Sequence, residues 1–159
     1  MPDVQAQTVV DTVAVGDSPE GVGVNTATNK IYVANANDDT VSVIDGSTDT
    51  VIDTVTVGDS PFGVGVNTAT NKIYVANVFD DTVSVIDGST DTVVDTVTVG
   101  DGPFGVGVNT ATNKIYVSNF SDDTVSVIDG STDTVVDTVA VGSSPRSVGV
   151  NPSTDKIYV

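Results

Sequence analysis

The sequence contains no cysteine and no histidine. The absence of cysteine excludes disulfides, thiolate metal sites and thiol catalysis. The absence of histidine removes the side chain that most often acts as a general base or holds haem and copper. We therefore expect a protein without catalytic residues, without a cofactor and without a metal site of these kinds.

Positive charge is also scarce. The sequence has five Lys and Arg residues and 22 Asp and Glu residues, which gives a net charge of −17. Such a surface repels phosphate backbones and anionic lipid, so we expect neither nucleic-acid binding nor membrane insertion. No run approaches the roughly 20 apolar residues of a membrane span, and the first residues, MPDVQAQ, lack the features of a secretion signal. If the protein is exported, we expect its signal to lie outside this sequence.

The sequence is instead dominated by a repeat. The tyrosine of the motif KIYV recurs every 42 residues, at Tyr32, Tyr74, Tyr116 and Tyr158. Segments 31–72 and 73–114 agree at 38 of 42 positions, and segments 73–114 and 115–156 agree at 31 of 42. A period of about 40–45 residues without a helical pattern is typical of a propeller blade of four strands. The length of 159 residues favours a single domain, 1–159.

Each unit divides into four strand candidates joined by short polar loops. In the second unit these candidates are 62–67, 72–77, 82–87 and 92–99. Their Val, Ile, Thr and Tyr content favours strands, and the hairpin-length loops predict antiparallel pairing. The tyrosines take one position in every unit, so we expect them in the core. Gly63 and Gly65 do not extend to a dinucleotide-binding motif, and we assign them to crowding at the innermost strand.

The repeat leaves a fourth unit incomplete. Three units use 126 residues, and the remaining 33 fall nine short of a fourth. We expect segment 7–15 to supply an outer strand and the C-terminus to supply an inner pair. The predicted fold class is therefore all-β: a β-propeller of four-stranded antiparallel blades, with about three complete blades and a split partial fourth. We expect a section of a larger propeller, or a protomer that self-associates through its open blade edges.

The repeated IYVAN, followed by DDTVSVID and DTVVDTVTVG-x-x-P, resembles the YVTN-type β-propeller repeat over essentially the whole chain. The third letter departs from that signature, because the sequence reads YVAN at 32–35 and 74–77 and YVSN at 116–119. The resemblance implies a radial sheet array of surface-layer and other cell-envelope proteins, and hence an extracellular or cell-surface location. Related propellers include enzymes with haem or copper sites or lactonase activity, so the fold alone does not decide the function.

Most differences between the units fall at one end of the blades. Because strand direction alternates, the loop from the fourth to the first strand and the loop from the second to the third strand emerge together. We name this end the top face. It carries all four phenylalanines, and the candidate ligand- or partner-binding residues are Glu20, Phe62, Phe79, Phe104, Phe120 and Arg146.

Two interpretations of the phenylalanines remain open. Phe62 and Phe104 follow prolines and could fill gaps between blades, which stabilises by about 1.5–3 kcal/mol for each buried ring. Phe79 and Phe120 lie in a loop that carries polar residues in other units. Exposed aromatic rings on a rigid face are suited to stacking on sugars or anchoring a protein.

Paired aspartates, such as Asp38 and Asp39, also recur at the top face. Oxygen-rich loops could hold Ca²⁺, but this spacing reproduces neither an EF-hand nor an RTX nonapeptide. Adjacent carboxylates on one strand do not face each other across a substrate, which argues against a glycosidase. Aspartate favours tight turns by itself, so we predict turns and no metal site.

Two functions follow from these observations. The first is a non-enzymatic cell-surface module, structural or binding, with a protein or carbohydrate partner. The alternative is a section of an enzymatic or redox propeller, lactonase-like or of the haem or copper type, whose catalytic residues lie in blades absent from this chain.

Overall fold

The computed structural model describes residues 8–159, which fold into β-strands and turns. Over these residues, no helix is long and apolar enough to cross a membrane. The strands are β1 (Pro19–Asn25), β2 (Lys30–Asn35), β3 (Thr40–Asp45), β4 (Thr50–Thr56), β5 (Pro61–Asn67), β6 (Lys72–Asn77), β7 (Thr82–Asp87), β8 (Thr92–Thr98), β9 (Pro103–Asn109), β10 (Lys114–Asn119), β11 (Thr124–Asp129), β12 (Thr134–Ala140), β13 (Gly149–Asn151) and β14 (Lys156–Tyr158).

The strands form one sheet for each repeat. β1–β4, β5–β8 and β9–β12 are three four-stranded antiparallel sheets, and β13 pairs with β14 alone. We name them blades 1, 2 and 3 and partial blade 4. The pairing register repeats, because Gly23 lies opposite Tyr32 and Gly65 lies opposite Tyr74. The predicted β-propeller with three complete blades and a partial fourth is confirmed.

The hairpin loops explain the recurring Asn and Asp residues. Each four-residue loop ends on a residue with positive φ, for example Asn29 at 57°, Asp39 at 54° and Asp49 at 53°. Asn and Asp tolerate this left-handed conformation better than other non-glycine residues. In the loop after β3, Asp45 Oδ1 also accepts a hydrogen bond of 2.7 Å from the Ser47 N–H. The Asn and Asp residues of these loops therefore determine where the chain reverses direction between two strands.

The core lies between the blades. Tyr32, Val41 and Val43 of blade 1 pack against Ile73 and Val75 of blade 2, and blade 2 packs on blade 3 with the corresponding residues. Each fully buried aliphatic side chain contributes about 1.5–3 kcal/mol. Each blade therefore depends on its neighbour to cover apolar side chains.

The innermost strands approach each other closely. A Cβ added to Gly23 would lie 2.7 Å from Val64 Cγ1, and one added to Gly65 would lie 2.5 Å from Val106 Cγ1. A side chain has no room there, so the glycines allow the valines of the next blade to pack on the backbone. The crowding interpretation of these glycines is supported.

The prediction of an N-terminal outer strand is wrong where the structure describes it. Residues 8–15 form no strand, and Gln7 lies outside the described residues. The fourth strand of a blade pairs with the third, as β4 does with β3. Partial blade 4 contains only its two inner strands, so segment 8–15 has no third strand to pair with. Within residues 8–159, the fourth blade consists of the C-terminal pair β13 and β14, without a strand from the N-terminal segment.

The four equivalent tyrosines also differ in burial. Tyr32 and Tyr74 are fully buried, as expected. Tyr116 is half-buried, and Tyr158 is 59 % exposed. The prediction of a core position is wrong for Tyr158, because among residues 8–159 no blade packs on the far side of partial blade 4.

Candidate binding groove on the top face

The two kinds of top-face loop are hydrogen bonded to each other. In the loop between blades 1 and 2, the Val57 N–H donates to the Asp39 carbonyl at 3.0 Å. The Val78 N–H of blade 2 donates to the Ser60 carbonyl of the same loop at 3.1 Å. Each connecting loop is thus held between the loops of the two blades it joins. The prediction that both loops emerge at one end is confirmed.

The paired aspartates accept backbone hydrogen bonds in this arrangement. Asp39 Oδ1 accepts from the Ser60 N–H at 2.9 Å, and Asp80 Oδ2 accepts from the Asp59 N–H at 2.8 Å. Asp81, Asp122 and Asp123 accept equivalent bonds in the later loops. The carboxylates thus act as acceptors for backbone N–H donors that the open loops would leave unpaired. These contacts support the interpretation of the aspartates as turn-forming residues.

Three of the phenylalanines and the arginine form one cluster. The ring centroids of Phe62 and Phe104 lie 4.0 Å apart with planes inclined by 38°, and those of Phe104 and Phe120 lie 6.2 Å apart at 39°. The Arg146 guanidinium carbon lies 5.3 Å from the Phe104 centroid and 5.0 Å from the Phe120 centroid. Both distances suit cation–π attraction. We name Phe62, Phe104, Phe120 and Arg146 the aromatic cluster.

A backbone irregularity helps to place these rings. The pairing of β5 with β6 shifts register between Pro61 and Val64, and β9 has the same shift next to Pro103. A bulge of this kind redirects a side chain at the end of a strand. Phe62 and Phe104 lie within the bulges, half-buried. The gap-filling interpretation of these two rings is therefore supported, although each ring keeps an accessible part.

Ser118 fixes the backbone beneath the arginine. Its hydroxyl accepts a hydrogen bond of 2.9 Å from the Gly105 N–H and donates to the Arg146 carbonyl at 3.2 Å. The first two repeats have Ala34 and Ala76 at this position. The sequence analysis did not select Ser118 as a site residue. The signal was the change from YVAN to YVSN, which introduces a hydroxyl only in the repeat next to Arg146.

The cluster lines a groove along the innermost strands. Glu20, Phe62, Phe104 and Arg146 contribute to its walls, and its volume is about 320 Å³. Phe120 does not line the groove itself but contacts Phe104 and Arg146, which do. Phe79 is 74 % exposed on the blade 2 loop and does not line the groove. The structure therefore brings together five of the six predicted residues.

The opposite end of the blades, the bottom face, joins neighbouring blades by polar contacts. The Lys30 ammonium lies 2.6 Å from Asp91 Oδ2, and the Tyr32 hydroxyl donates to Asp91 Oδ1 at 3.0 Å. Burial, followed by the nearby Asp91 carboxylate, raises the pKa of Tyr32 well above its ordinary value. Tyr74 has the same environment with Asp133. This face is invariant between blades 1 and 2 and serves to join them.

The chain is similar to many solved structures, including the following two. Hydrazine synthase from Kuenenia stuttgartiensis is 23% identical with a TM-score of 0.80, over 92% of this chain and 43% of that one. A functionally unknown protein from Desulfotomaculum acetoxidans DSM 771 is 12% identical with a TM-score of 0.79, over 89% of this chain and 48% of that one. This chain spans less than half the length of either. At these identities the likeness concerns the fold alone.

No family model matches the sequence. No curated protein matches it either.

Proposed function

We propose that this chain is a non-enzymatic cell-surface binding module and that the top-face groove is its recognition site. The observation that carries the proposal is the aromatic cluster, in which three rings and a cation converge where the repeats differ most. The rings belong to the ends of paired strands and to hydrogen-bonded loops. A surface fixed in this way loses little conformational entropy when a partner binds.

The chemistry of the groove favours a protein partner. Phenylalanine rings provide apolar anchor contacts, and Arg146 provides a donor for a carboxylate or a carbonyl group. Among residues 8–159, no carboxylate forms an ion pair with Arg146, so its charge is available to a partner. Glu20 lines the same groove and offers an acceptor. The groove therefore suits a protein segment with an apolar side chain between groups of opposite polarity.

Carbohydrate is the second candidate ligand. A sugar ring presents C–H groups to an aromatic face and hydroxyls to flanking polar groups. Neighbouring rings are inclined by 38–39°, so each ring presents its own face to a sugar. Glu20 and Arg146 supply polar groups beside the rings.

The enzymatic or redox alternative remains a separate hypothesis. Its support is the likeness to hydrazine synthase, of which this chain spans 43%. That likeness concerns the fold, so we rank this function second.

An array of extracellular proteins and glycans tests the proposal. The labelled chain should bind a subset of the array, and Arg146→Ala should weaken that binding by about tenfold or more, as for an interface anchor. Phe79→Ala is the matched control, because Phe79 lies on the same face outside the groove. A loss with Phe79→Ala and none with Arg146→Ala would place the recognition site elsewhere. Thermal melting of both variants separates lost binding from lost folding.

A further inference from the structure

The two ends of the blade array carry opposite halves of the joint that repeats inside it. At the joint between blades 1 and 2, Gly23 receives Val64 and Val66. The Asn25 side-chain amide donates to Asn71 Oδ1 at 2.7 Å. Lys30 and Tyr32 both contact the single carboxylate of Asp91. One blade thus contributes Gly, Asn, Lys and Tyr, and the next contributes two Val, Asn and Asp.

The joint between blades 2 and 3 has all of these contacts, and the joint between blade 3 and partial blade 4 has the glycine and asparagine contacts. Between blades 2 and 3, the Asn67 amide donates to Asn113 Oδ1 at 2.7 Å, and Lys72 and Tyr74 contact Asp133. Between blade 3 and partial blade 4, Gly107 receives Val148 and Val150, and the Asn109 amide donates to Asp155 Oδ1 at 2.8 Å. Partial blade 4 therefore docks in the register of the complete blades.

Partial blade 4 presents the first half of a further joint. Its equivalents of the Gly, Asn, Lys and Tyr positions are Gly149, Asn151, Lys156 and Tyr158, which are all exposed. A Cβ added to Gly149 would meet nothing closer than Tyr158 of its own blade, at 4.0 Å. We name these four residues the tail face.

Blade 1 presents the second half. Its equivalents of the two Val, Asn and Asp positions are Val22, Val24, Asn29 and Asp49, which we name the head face. Val22 is 59 % exposed and Val24 is 53 % exposed, whereas Val64 and Val66 are half-buried in their joint. Val33 and Ile44 of blade 1 are already buried. The open part of this end is therefore the innermost strand and the bottom loop.

We propose that the tail face of one copy binds the head face of a second copy of this chain. In the repeat register, Gly149 receives Val22 and Val24, Asn151 pairs with Asn29, and Lys156 and Tyr158 contact Asp49. Every pairing has an equivalent within the chain, so the complementarity of shape and charge is the one that already joins its blades. Such a contact is heterologous, and it closes into a ring or continues as a filament. This proposal is independent of what the top-face groove binds.

Sedimentation velocity of the whole chain tests the assembly over a range of concentrations. Ionic strength near 0.15 M limits the repulsion between highly acidic copies to about 8 Å. Species heavier than the 16.1 kDa chain should increase with concentration. Asp49→Lys places a cation against Lys156 and should raise the Kd about tenfold or more. Combining Asp49→Lys with Lys156→Asp should restore association, because each copy then carries both exchanged charges.

A glycine variant locates the contact independently. Gly149→Val should leave the chain folded, since its side chain enters open space, but it should block the valines of the second copy and leave a monomer. Gly142→Val is the matched control, because a Cβ at Gly142 also meets nothing within 4 Å and Gly142 lies outside the joint. This control should associate like the parent chain.

Two results would overturn the proposal. The first is a monomer at every concentration. A chain whose tail face binds its own head face would give this result. The second is an oligomer that persists in Gly149→Val, as pairing between free strand edges would produce.

Discussion

Tyr74 and Tyr158 occupy the same position of the repeat, and both follow the letters KI, yet one is buried and the other is exposed. Tyr74 lies between blades 2 and 3, and its hydroxyl donates to Asp133 of blade 3. Tyr158 lies at the end of the array. The comparison shows that burial here is a property of the joint between blades. The sequence of a blade specifies its own strands, but its tyrosine is buried only where the next blade packs on it.

The lysines show the same difference. Lys72 reaches across the joint to Asp133. Lys114 has the same place in blade 3, but partial blade 4 lacks the loop between third and fourth strands that would carry the partner. Lys114 instead pairs with Asp129 of its own blade at 3.3 Å, with both side chains more exposed than in the complete joints. An interior joint therefore combines apolar cover with a shielded ion pair, and the end of the array does not.

The largest predicted effect comes from removing an aliphatic side chain inside a joint. Ile73 is fully buried in the joint between blades 1 and 2, whereas Ile31, its equivalent in blade 1, is half-buried. Ile73→Ala should cost about 2–5 kcal/mol of unfolding free energy, because a cavity remains. Ile31→Ala should cost clearly less. Urea unfolding measures both, and equal losses would show that the joints do not dominate stability.

The second prediction concerns the shared carboxylate of the joint. Asp133→Asn removes the charge that Lys72 and the Tyr74 hydroxyl contact, and should cost about 1.5–3 kcal/mol. Asp49→Asn makes the same change at exposed Asp49 and should stay within about 0.5 kcal/mol. Unfolding is measured at low protein concentration, so that association does not contribute. A large loss at Asp49 would mean that the head face is already occupied.

The sequence predicted the strands and loops of this fold well, but it predicted the contacts between distant residues less well. Strands such as 72–77 and the common side of the top-face loops follow from alternation and turn residues, which are local signals. The bulge at Phe62 arises where β5 pairs with β6. The contact of Arg146 with two rings and the bond from Ser118 to the Arg146 carbonyl join different repeats. No local pattern in the sequence contains these features. The failures at segment 8–15 and at Tyr158 have the same origin, since each needed a partner strand or blade.

The third prediction uses the protons of the buried tyrosines. Burial and the adjacent carboxylates raise the pKa values of Tyr32 and Tyr74 above the ordinary value, so the folded state holds these protons more tightly than the unfolded state. Their contribution is fully present below about pH 10 and is lost as the pH rises further. The loss should reach at most about 1.4 kcal/mol per pH unit for each tyrosine.

Urea unfolding at several pH values between 8 and 11 measures this dependence. Tyr74→Phe removes one of these two phenol groups and should flatten the alkaline decline, and the double variant with Tyr32→Phe should flatten it further. An unchanged slope in the double variant would show that the joints do not hold these protons.

The smallest predicted effect distinguishes the joint at Ser118 from the joint at Ala76. Ser118→Ala restores the residue of the other repeats and removes two hydrogen bonds, to the Gly105 N–H and the Arg146 carbonyl, at a cost of about 0.5–1.5 kcal/mol. Ala76→Ser is the reciprocal change and should be nearly neutral, because Gly63 approaches the Phe104 carbonyl as Gly105 approaches the Arg146 carbonyl, and the repeat gives Ala76 the position of Ser118. Near-ultraviolet circular dichroism of the phenylalanines should change in Ser118→Ala, since Arg146 is released from above two rings. An unchanged spectrum together with an unchanged stability would mean that the rings and the guanidinium hold each other without the hydroxyl.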